Sequence, residues 1–174
     1  MKKDMINLVE KYRPDILIEL GSGYSKDYFP LVNKSAIKNI IQIDKENITD
    51  RDRPHYKFVK GDITKYKVWS KIYNIKAKKG LVLTEGLFSY LNDEEFYFVI
   101  NKLKGLVKKR YSLLTHEPIK PISVSRKIIS IFIGKTYRRF MSAKEIKHYY
   151  ESFGLKTQII KSNKWQVIYR VYKT

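Results

Sequence analysis

The sequence predicts a doubly wound α/β fold, in which a mostly parallel sheet is covered by helices on both faces. Short apolar runs typical of buried parallel strands alternate with segments of helical spacing along most of the chain. The last two β-rich runs, 155–161 and 165–172, are joined by Ser162, Asn163 and Lys164. This spacing favours an antiparallel hairpin at one edge of the sheet.

The remaining elements follow from the apolar periodicity and from the residues that cap or end each segment. Parallel strands are predicted at 16–20, 39–44, 56–60, 80–84 and 110–115. Asn92 and Ser142 are good N-caps, Pro14 ends the first helix and Gly154 ends the last. Helices are predicted at 4–12, 26–33, 65–75, 94–108, 123–133 and 142–153.

Length and composition favour one domain. The chain has 174 residues, of which 43% are hydrophobic, enough to close one core and too few for two full domains. We therefore expect a single domain over 1–174, with a lid insertion near 118–141. The absence of cysteine excludes disulfides and thiolate chemistry, and His55, His116 and His148 show no metal-binding spacing. No metal is expected.

The charge is strongly positive, with 36 lysines and arginines against 17 acidic residues and a net charge of +19. Such a field attracts polyanions, namely RNA, DNA or an acidic membrane surface. The alternative is that the lysines, which are spread along the whole chain, only solvate the surface. The sequence contains no apolar run long enough to span a bilayer and no apolar signal segment at its start, so we expect a cytoplasmic protein without a transmembrane segment.

A glycine-rich turn follows the first predicted strand, in the sequence Glu19-Leu20-Gly21-Ser22-Gly23. Glycines there allow a ligand to approach the backbone closely, and a carboxylate at the strand end can accept hydrogen bonds from ammonium or hydroxyl groups. Asp44 lies 21 residues after Gly23, at the end of the second strand. From this position an acid reaches ribose hydroxyls in Rossmann-like folds.

Polar or glycine residues also end the third and fourth strands, as Gly61-Asp62 and Thr84-Glu85-Gly86. Each taken singly is typical of a helix cap or a solvated turn, but four in register favour a ligand site at the carboxyl edge of the sheet. The turn continues as Tyr24-Ser25-Lys26, without the further glycine that a dinucleotide pyrophosphate requires. This argues against NAD.

The acid and glycines of this turn, Glu19, Gly21 and Gly23, resemble the signature of the class I methyltransferases that use S-adenosylmethionine. The resemblance covers about the first two-thirds of the chain. It implies that Glu19 and the turn, including Ser22, face the methionine part of the cofactor and that Asp44 binds its ribose. It further implies that Asp62 and Ile63 flank the adenine.

A narrower resemblance, to the leucine carboxyl methyltransferase-like family, rests on the segment Glu85-Gly86-Leu87 followed by Tyr90-Leu91 and an acidic helix start. Gly61-Asp62-Ile63 followed by Trp69, and His116-Glu117-Pro118 after the fifth strand, are also similar to that family. Only 18 residues precede Glu19, fewer than in that family, so its substrate is left open.

Candidates for contact with the methyl acceptor lie where the fourth and fifth strands end. They are Tyr90, His116 and Glu117, while Glu85 is better placed to touch the cofactor. Each also has a plain structural interpretation, as a loop hydrogen bond or a packed helix-entry residue. The stretch 122–139, which combines isoleucines with lysines and arginines, is interpreted as a lid or core-facing helix rather than a membrane-surface helix.

The leading functional hypothesis is an S-adenosylmethionine-dependent methyltransferase acting on an oxygen of a small-molecule or protein carboxylate-type acceptor. Two alternatives stay open. One is an RNA methyltransferase that uses the positive charge for phosphate contacts. The other is a basic nucleic-acid-binding module that has a methyltransferase-like fold and no turnover. The sequence does not specify the oligomeric state.

Overall fold

The computed structural model describes residues 2–32, 36–46, 54–109, 111–118, 141–163 and 166–173. Within these residues seven strands form one sheet. The first five are β1 Ile16–Leu20, β2 Asn39–Asp44, β3 Tyr56–Lys60, β4 Gly80–Glu85 and β5 Tyr111–Pro118. The last two are β6 Lys156–Ser162 and β7 Gln166–Tyr172.

The strand order is β3-β2-β1-β4-β5-β7-β6. Strands β1 to β5 are parallel, whereas β7 runs antiparallel to both β5 and β6. The order reverses between β1 and β4, because the chain builds outward through β2 and β3 before it returns to the other side of β1. In open α/β sheets ligands bind outside the carboxyl ends of the strands at such a switch point.

The carboxyl ends of the central strands are level with one another. Leu20 at the end of β1 pairs with Ile43 on one side and with Thr84 on the other. Glu85, one residue further along β4, pairs with His116 of β5. Residues far apart in the sequence are thereby brought to one edge of the sheet.

Four α-helices accompany the sheet in the described residues: α1 Lys2–Tyr12, α2 Tyr66–Tyr73, α3 Asp93–Val107 and α4 Ala143–Ser152. Asn92 and Ser142 begin α3 and α4 with full capping boxes, each reciprocated by a glutamate three residues on. Two short 3₁₀ helices, Phe29–Leu31 and Phe88–Tyr90, lie in the connections that follow β1 and β4.

Alternation along the strands divides the core between the two faces of the sheet. On one face Leu17 and Ile40 pack with Met5 and Val9 of α1. On the other face the core includes Ile18 and Val82, together with side chains from α2, α3 and α4: Trp69, Phe96, Ile100, Ile146 and Tyr150. Both faces are therefore covered, as the sequence predicts.

The predicted strands, the antiparallel hairpin and the doubly wound fold class are confirmed. The predicted helix at 26–33 is wrong, because residues 26–32 form turns and a 3₁₀ helix with Pro30 near its start. Proline lacks the N–H that a longer helix would need at this position. The predicted helix 123–133 lies outside the described residues, as does the lid near 118–141 apart from its two end residues. Among the described residues, no helix has the length and apolar character to cross a membrane.

Candidate active site at the carboxyl edge of the sheet

The glycine turn after β1 is held against the end of β2 by backbone hydrogen bonds. Gly21 and Gly23 have φ values of +66° and +52°, a conformation that favours glycine. The Gly21 N–H donates to the carbonyl of Ile43 at 2.8 Å. The Gly23 N–H donates to Oδ2 of Asp44 at 2.7 Å. The Asp44 side chain thus holds the glycine turn against the end of β2, at the carboxyl edge of the sheet.

Hydrogen bonds among buried polar side chains connect the glycine turn with β1, β2 and β3. Glu19 is 3% exposed, and its Oε2 accepts a 2.5 Å hydrogen bond from Nε2 of Gln42. The same nitrogen donates to the carbonyl of Ser25 at 3.0 Å, and the hydroxyl of Tyr56 donates to Oε1 of Gln42. Our sequence predictions miss Gln42, although a polar residue within the apolar run of β2 is a signal of a buried hydrogen-bonding role.

Glu85, the last residue of β4, lies between Tyr28 and His116. The Tyr28 hydroxyl donates to Oε1 of Glu85 at 2.5 Å, and Nδ1 of His116 lies 3.8 Å from Oε2. Burial by itself would raise the pKa of Glu85, but His116 and the Tyr28 hydroxyl favour the carboxylate and hold its pKa below the ordinary value. Burial, and then the charge of Glu85, raises the pKa of Tyr28.

Two of the three predicted acceptor-side residues, His116 and Glu117, lie on opposite faces of the sheet, because they are neighbours on β5. His116 shares the face of Glu85, and its buried Nε2 has no hydrogen-bond partner among the described residues. Glu117 lies on the other face, and Tyr90 is a half-buried residue at the end of the second 3₁₀ helix.

Glu117 is buried under the turn that follows β4. Its side chain is 5% exposed, and Oε1 accepts a long hydrogen bond of 3.4 Å from the N–H of Phe88. Burial raises the pKa of Glu117 to about 8, and backbone N–H groups of Phe88 and Ser89 offset only part of the effect. The two carboxyl groups at the ends of β4 and β5 therefore differ, because Glu85 is ionised at neutral pH and Glu117 largely is not.

Asp62 and Ile63 lie just beyond β3 and have mainly local contacts. Oδ1 of Asp62 accepts hydrogen bonds from the N–H and the hydroxyl of Thr64, both at 2.8 Å. Ile63 has a buried side chain, and its carbonyl accepts a 2.6 Å hydrogen bond from the indole of Trp69. These contacts hold the loop after β3 in a fixed shape beside β2.

The glycine turn leaves both space and an unused polar group. A Cβ at Gly23 would have no atom within 4 Å, whereas one at Gly21 would meet Cδ1 of Leu87 at 2.7 Å. The hydroxyl of Ser22 is buried and has no hydrogen-bond partner among the described residues. The turn is therefore open on the side of Gly23 and closed on the side of Gly21.

Acidic side chains gather at this edge even though the protein is strongly basic. Glu19, Asp27 and Glu85 are close enough to one another that all three act on the ammonium group of Lys2, whose Nζ lies 2.5 Å from Oδ2 of Asp27. Asp44 adds a further carboxylate beside the same turn. Four carboxylates therefore lie at this edge of a protein whose net charge is +19.

Comparison with solved structures identifies the class of fold. An O-methyltransferase family protein from Burkholderia thailandensis superposes with a TM-score of 0.72 and 12% identity, over 99% of this chain and 56% of that one. A SAM-dependent methyltransferase from Anabaena variabilis gives 0.67 and 12%, over 98% and 82%. Human N-acetylserotonin methyltransferase, solved in complex with SAM, gives 0.71 and 12%, over 99% and 51%.

The chain therefore has the Rossmann-like fold of SAM-dependent methyltransferases. It spans about half the length of two of these three structures. No family model and no curated protein matches the sequence. The comparisons thus support the fold of the wider class, and the narrower resemblance to the leucine carboxyl methyltransferase-like family gains nothing from them.

Proposed function

We propose that the protein is a methyltransferase that binds S-adenosylmethionine at the carboxyl edge of β1, β2 and β4. The observation that carries the proposal is the group of carboxylates at the topological switch point, Glu19, Asp44 and Glu85. S-adenosylmethionine carries a sulfonium and an ammonium group, both cationic, together with two ribose hydroxyls. An acidic edge in an otherwise basic protein complements these groups.

The residues at the glycine turn fit this cofactor. The orphaned hydroxyl of Ser22 offers a hydrogen bond, and the open space at Gly23 allows a ligand to approach the backbone. Glu19 and the turn would hold the methionine part, and Asp44, already oriented by Gly23, would accept hydrogen bonds from the ribose. Asp62 and Ile63 would border the adenine.

The bound cofactor would supply an activated methyl group, and the chain would position the acceptor and handle any proton. Glu85 orients His116 by its position 3.8 Å from Nδ1, which leaves Nε2 for an acceptor group. A hydroxyl acceptor would pass its proton to Nε2, whereas a carboxylate acceptor has no proton to lose and needs only positioning.

For the acceptor we propose an oxygen of a small-molecule or protein carboxylate-type group. Two features support this choice: the turn Glu85-Gly86-Leu87, which resembles that of the leucine carboxyl methyltransferase-like family, and a net charge of +19, which attracts anionic molecules. We further propose that residues 1–174 act as one domain, with the segment near 118–141 as a lid over the acceptor.

A second candidate acceptor is RNA, and the net charge of +19 is the observation that favours it. Phosphate contacts by lysine and arginine would make the affinity fall steeply with salt concentration. Salt-sensitive RNA binding without cofactor binding would instead favour the non-catalytic binding module.

Calorimetric titration with S-adenosylmethionine and S-adenosylhomocysteine tests the proposal. We expect saturable binding of both by the wild-type protein and loss of binding in Asp44→Ala, since Gly23 then also loses its acceptor. Glu46→Gln is the matched control, because this exposed residue contacts Asp44 only through its backbone N–H. Failure of the wild-type protein to bind either compound would contradict the methyltransferase proposal.

A further inference from the structure

A small cavity lies between the turn after β4, the end of β5 and helix α4. Its volume is about 20 Å³, which is room for about one water-sized group. Glu117 is the sole acidic or basic side chain among the described residues that line it. Five aromatic side chains contribute to the same wall: Phe88, Phe96, Tyr149, Tyr150 and Tyr169.

The hydrogen bonds of the Glu117 carboxyl group offset only part of the free-energy cost of its burial. It accepts hydrogen bonds from the backbone of Phe88 and Ser89, and no cation of the described residues forms an ion pair with it. A buried carboxyl group without a cation is expensive to ionise, and this accounts for its raised pKa. A cation entering the cavity would supply the missing partner.

The chemistry of the wall specifies which cation. Aromatic rings attract ammonium groups through their π faces, and one carboxylate adds a charge-assisted hydrogen bond. The volume of about 20 Å³ admits a group the size of water. A primary ammonium group has this size, whereas a quaternary ammonium, with four carbon substituents, is several times larger. The cavity thus selects a ligand group both by its positive charge and by its size.

We propose that the cavity around Glu117 binds the primary ammonium group of the methyl acceptor, an inference that rests on the proposed methyltransferase function. The turn after β4 connects the two sites, because Glu85 contacts Tyr28 and His116 on one face while Phe88 and Ser89 line the cavity on the other. A molecule anchored at Glu117 by its ammonium group lies against the turn that also borders the cofactor site. Glu117 is then a specificity residue rather than a general base.

Titration of the protein with n-butylammonium, followed by NMR at about pH 8.5, tests the inference, since an alkylammonium stays charged at this pH. We expect saturable shifts of signals from the cavity residues, and none from n-butanol or tetramethylammonium. Glu117→Gln should weaken n-butylammonium binding by at least about tenfold, because a charge-assisted hydrogen bond is lost. Glu151→Gln makes the same charge change on the exposed side of α4 and should leave the affinity unchanged.

Two results would overturn the ammonium site: equal binding of n-butanol, or an affinity that Glu117→Gln does not change. The comparison of the three probes uses the wild-type protein alone and holds even if the variant does not fold. Tyr149→Leu, which removes one ring from the wall, should also weaken n-butylammonium binding. Titration of S-adenosylhomocysteine in the same samples separates the two proposals. Binding of n-butylammonium without binding of S-adenosylhomocysteine would support the ammonium site and contradict the methyltransferase function.

Discussion

The backbone N–H of Gly23 donates a 2.7 Å hydrogen bond to Oδ2 of Asp44, across 21 positions of the sequence. The bond joins the turn after β1 to the end of β2 at the point where strand order reverses. One carboxylate therefore shapes the glycine turn and remains at the edge where a ribose would bind.

Gly23→Val should abolish binding of S-adenosylhomocysteine. The φ of +52° costs a residue with a Cβ roughly 1–2 kcal/mol, and the side chain would fill the open space of the turn. Gly154→Val is the matched control, since Gly154 has a φ of +70° in equally open space away from the site. Both variants should lose stability in thermal unfolding. Binding that survives in Gly23→Val would exclude this turn from the cofactor site.

His116→Ala should retain cofactor binding and reduce the turnover of a hydroxyl acceptor, which must lose a proton. If His116 is a general base oriented by Glu85, its removal lowers kcat by roughly 10²-fold or more for a hydroxyl acceptor. His148→Ala, on the exposed surface of α4, should have no effect. The measurement is a methyl-transfer assay beside a calorimetric titration, and normal turnover in His116→Ala would remove this residue from the mechanism.

Tyr28→Phe should raise the pKa of Glu85. The Tyr28 hydroxyl donates a hydrogen bond to the carboxylate and thereby helps to offset the burial that disfavours the ionised form. Tyr24→Phe, at a residue that is 75% exposed, is the control. NMR detection of the Glu85 carboxyl carbon during a pH titration gives the answer. An unchanged pKa in Tyr28→Phe would show that the hydrogen bond does not form in solution.

Because Glu117 is buried, the free energy of unfolding should fall as pH rises from about 4.5 to about 8. The pKa is 4.5 for an ordinary glutamate and about 8 in the folded protein, so over this window the folded state holds a proton that the unfolded state has lost. The stability that protonated Glu117 contributes is fully present below pH 4.5 and is lost as the pH rises through about 8. The slope is at most about 1.4 kcal/mol per pH unit.

Glu117→Gln should remove this pH dependence, because the amide does not titrate. Urea unfolding of both proteins at several pH values measures the difference, and the variant should be the more stable of the two above pH 8. Glu151→Gln, at an exposed position, should keep the slope of the wild-type protein. Parallel stability curves for wild type and Glu117→Gln would contradict the raised pKa.

The sequence predicts the strands well because each is a short apolar run bounded by turn residues, as in β1 and β4. It also predicts the N-caps Asn92 and Ser142, whose side chains act on residues only three positions away. The helix predicted at 26–33 is wrong because Pro30 lacks the N–H that a longer helix would need at this position. Proline was the better local signal.

The candidate site was predicted in part. Glu19, Asp44 and Glu85 could be assigned to one edge because parallel strands end at the same edge of a sheet. Tyr28 and Gln42 could not be assigned to them, because their contacts with Glu85 and Glu19 join residues 57 and 23 positions apart. Such contacts depend on the order of the strands in the sheet. The sequence predicts the class of fold but not that order.

The sequence by itself determined the class of fold, the glycine turn and the acids that follow the strands, because these depend on local periodicity and on residue type at strand ends. The tertiary structure decided which of those residues act together. The alternation of side chains along β5 places His116 with Glu85 and puts Glu117 among aromatic rings on the opposite face. Neighbours in sequence thus have different environments. Burial favours the protonated form of both carboxyl groups, but the hydrogen bonds of His116 and Tyr28 lower the pKa of Glu85, whereas Glu117 has only backbone N–H groups and its pKa stays raised.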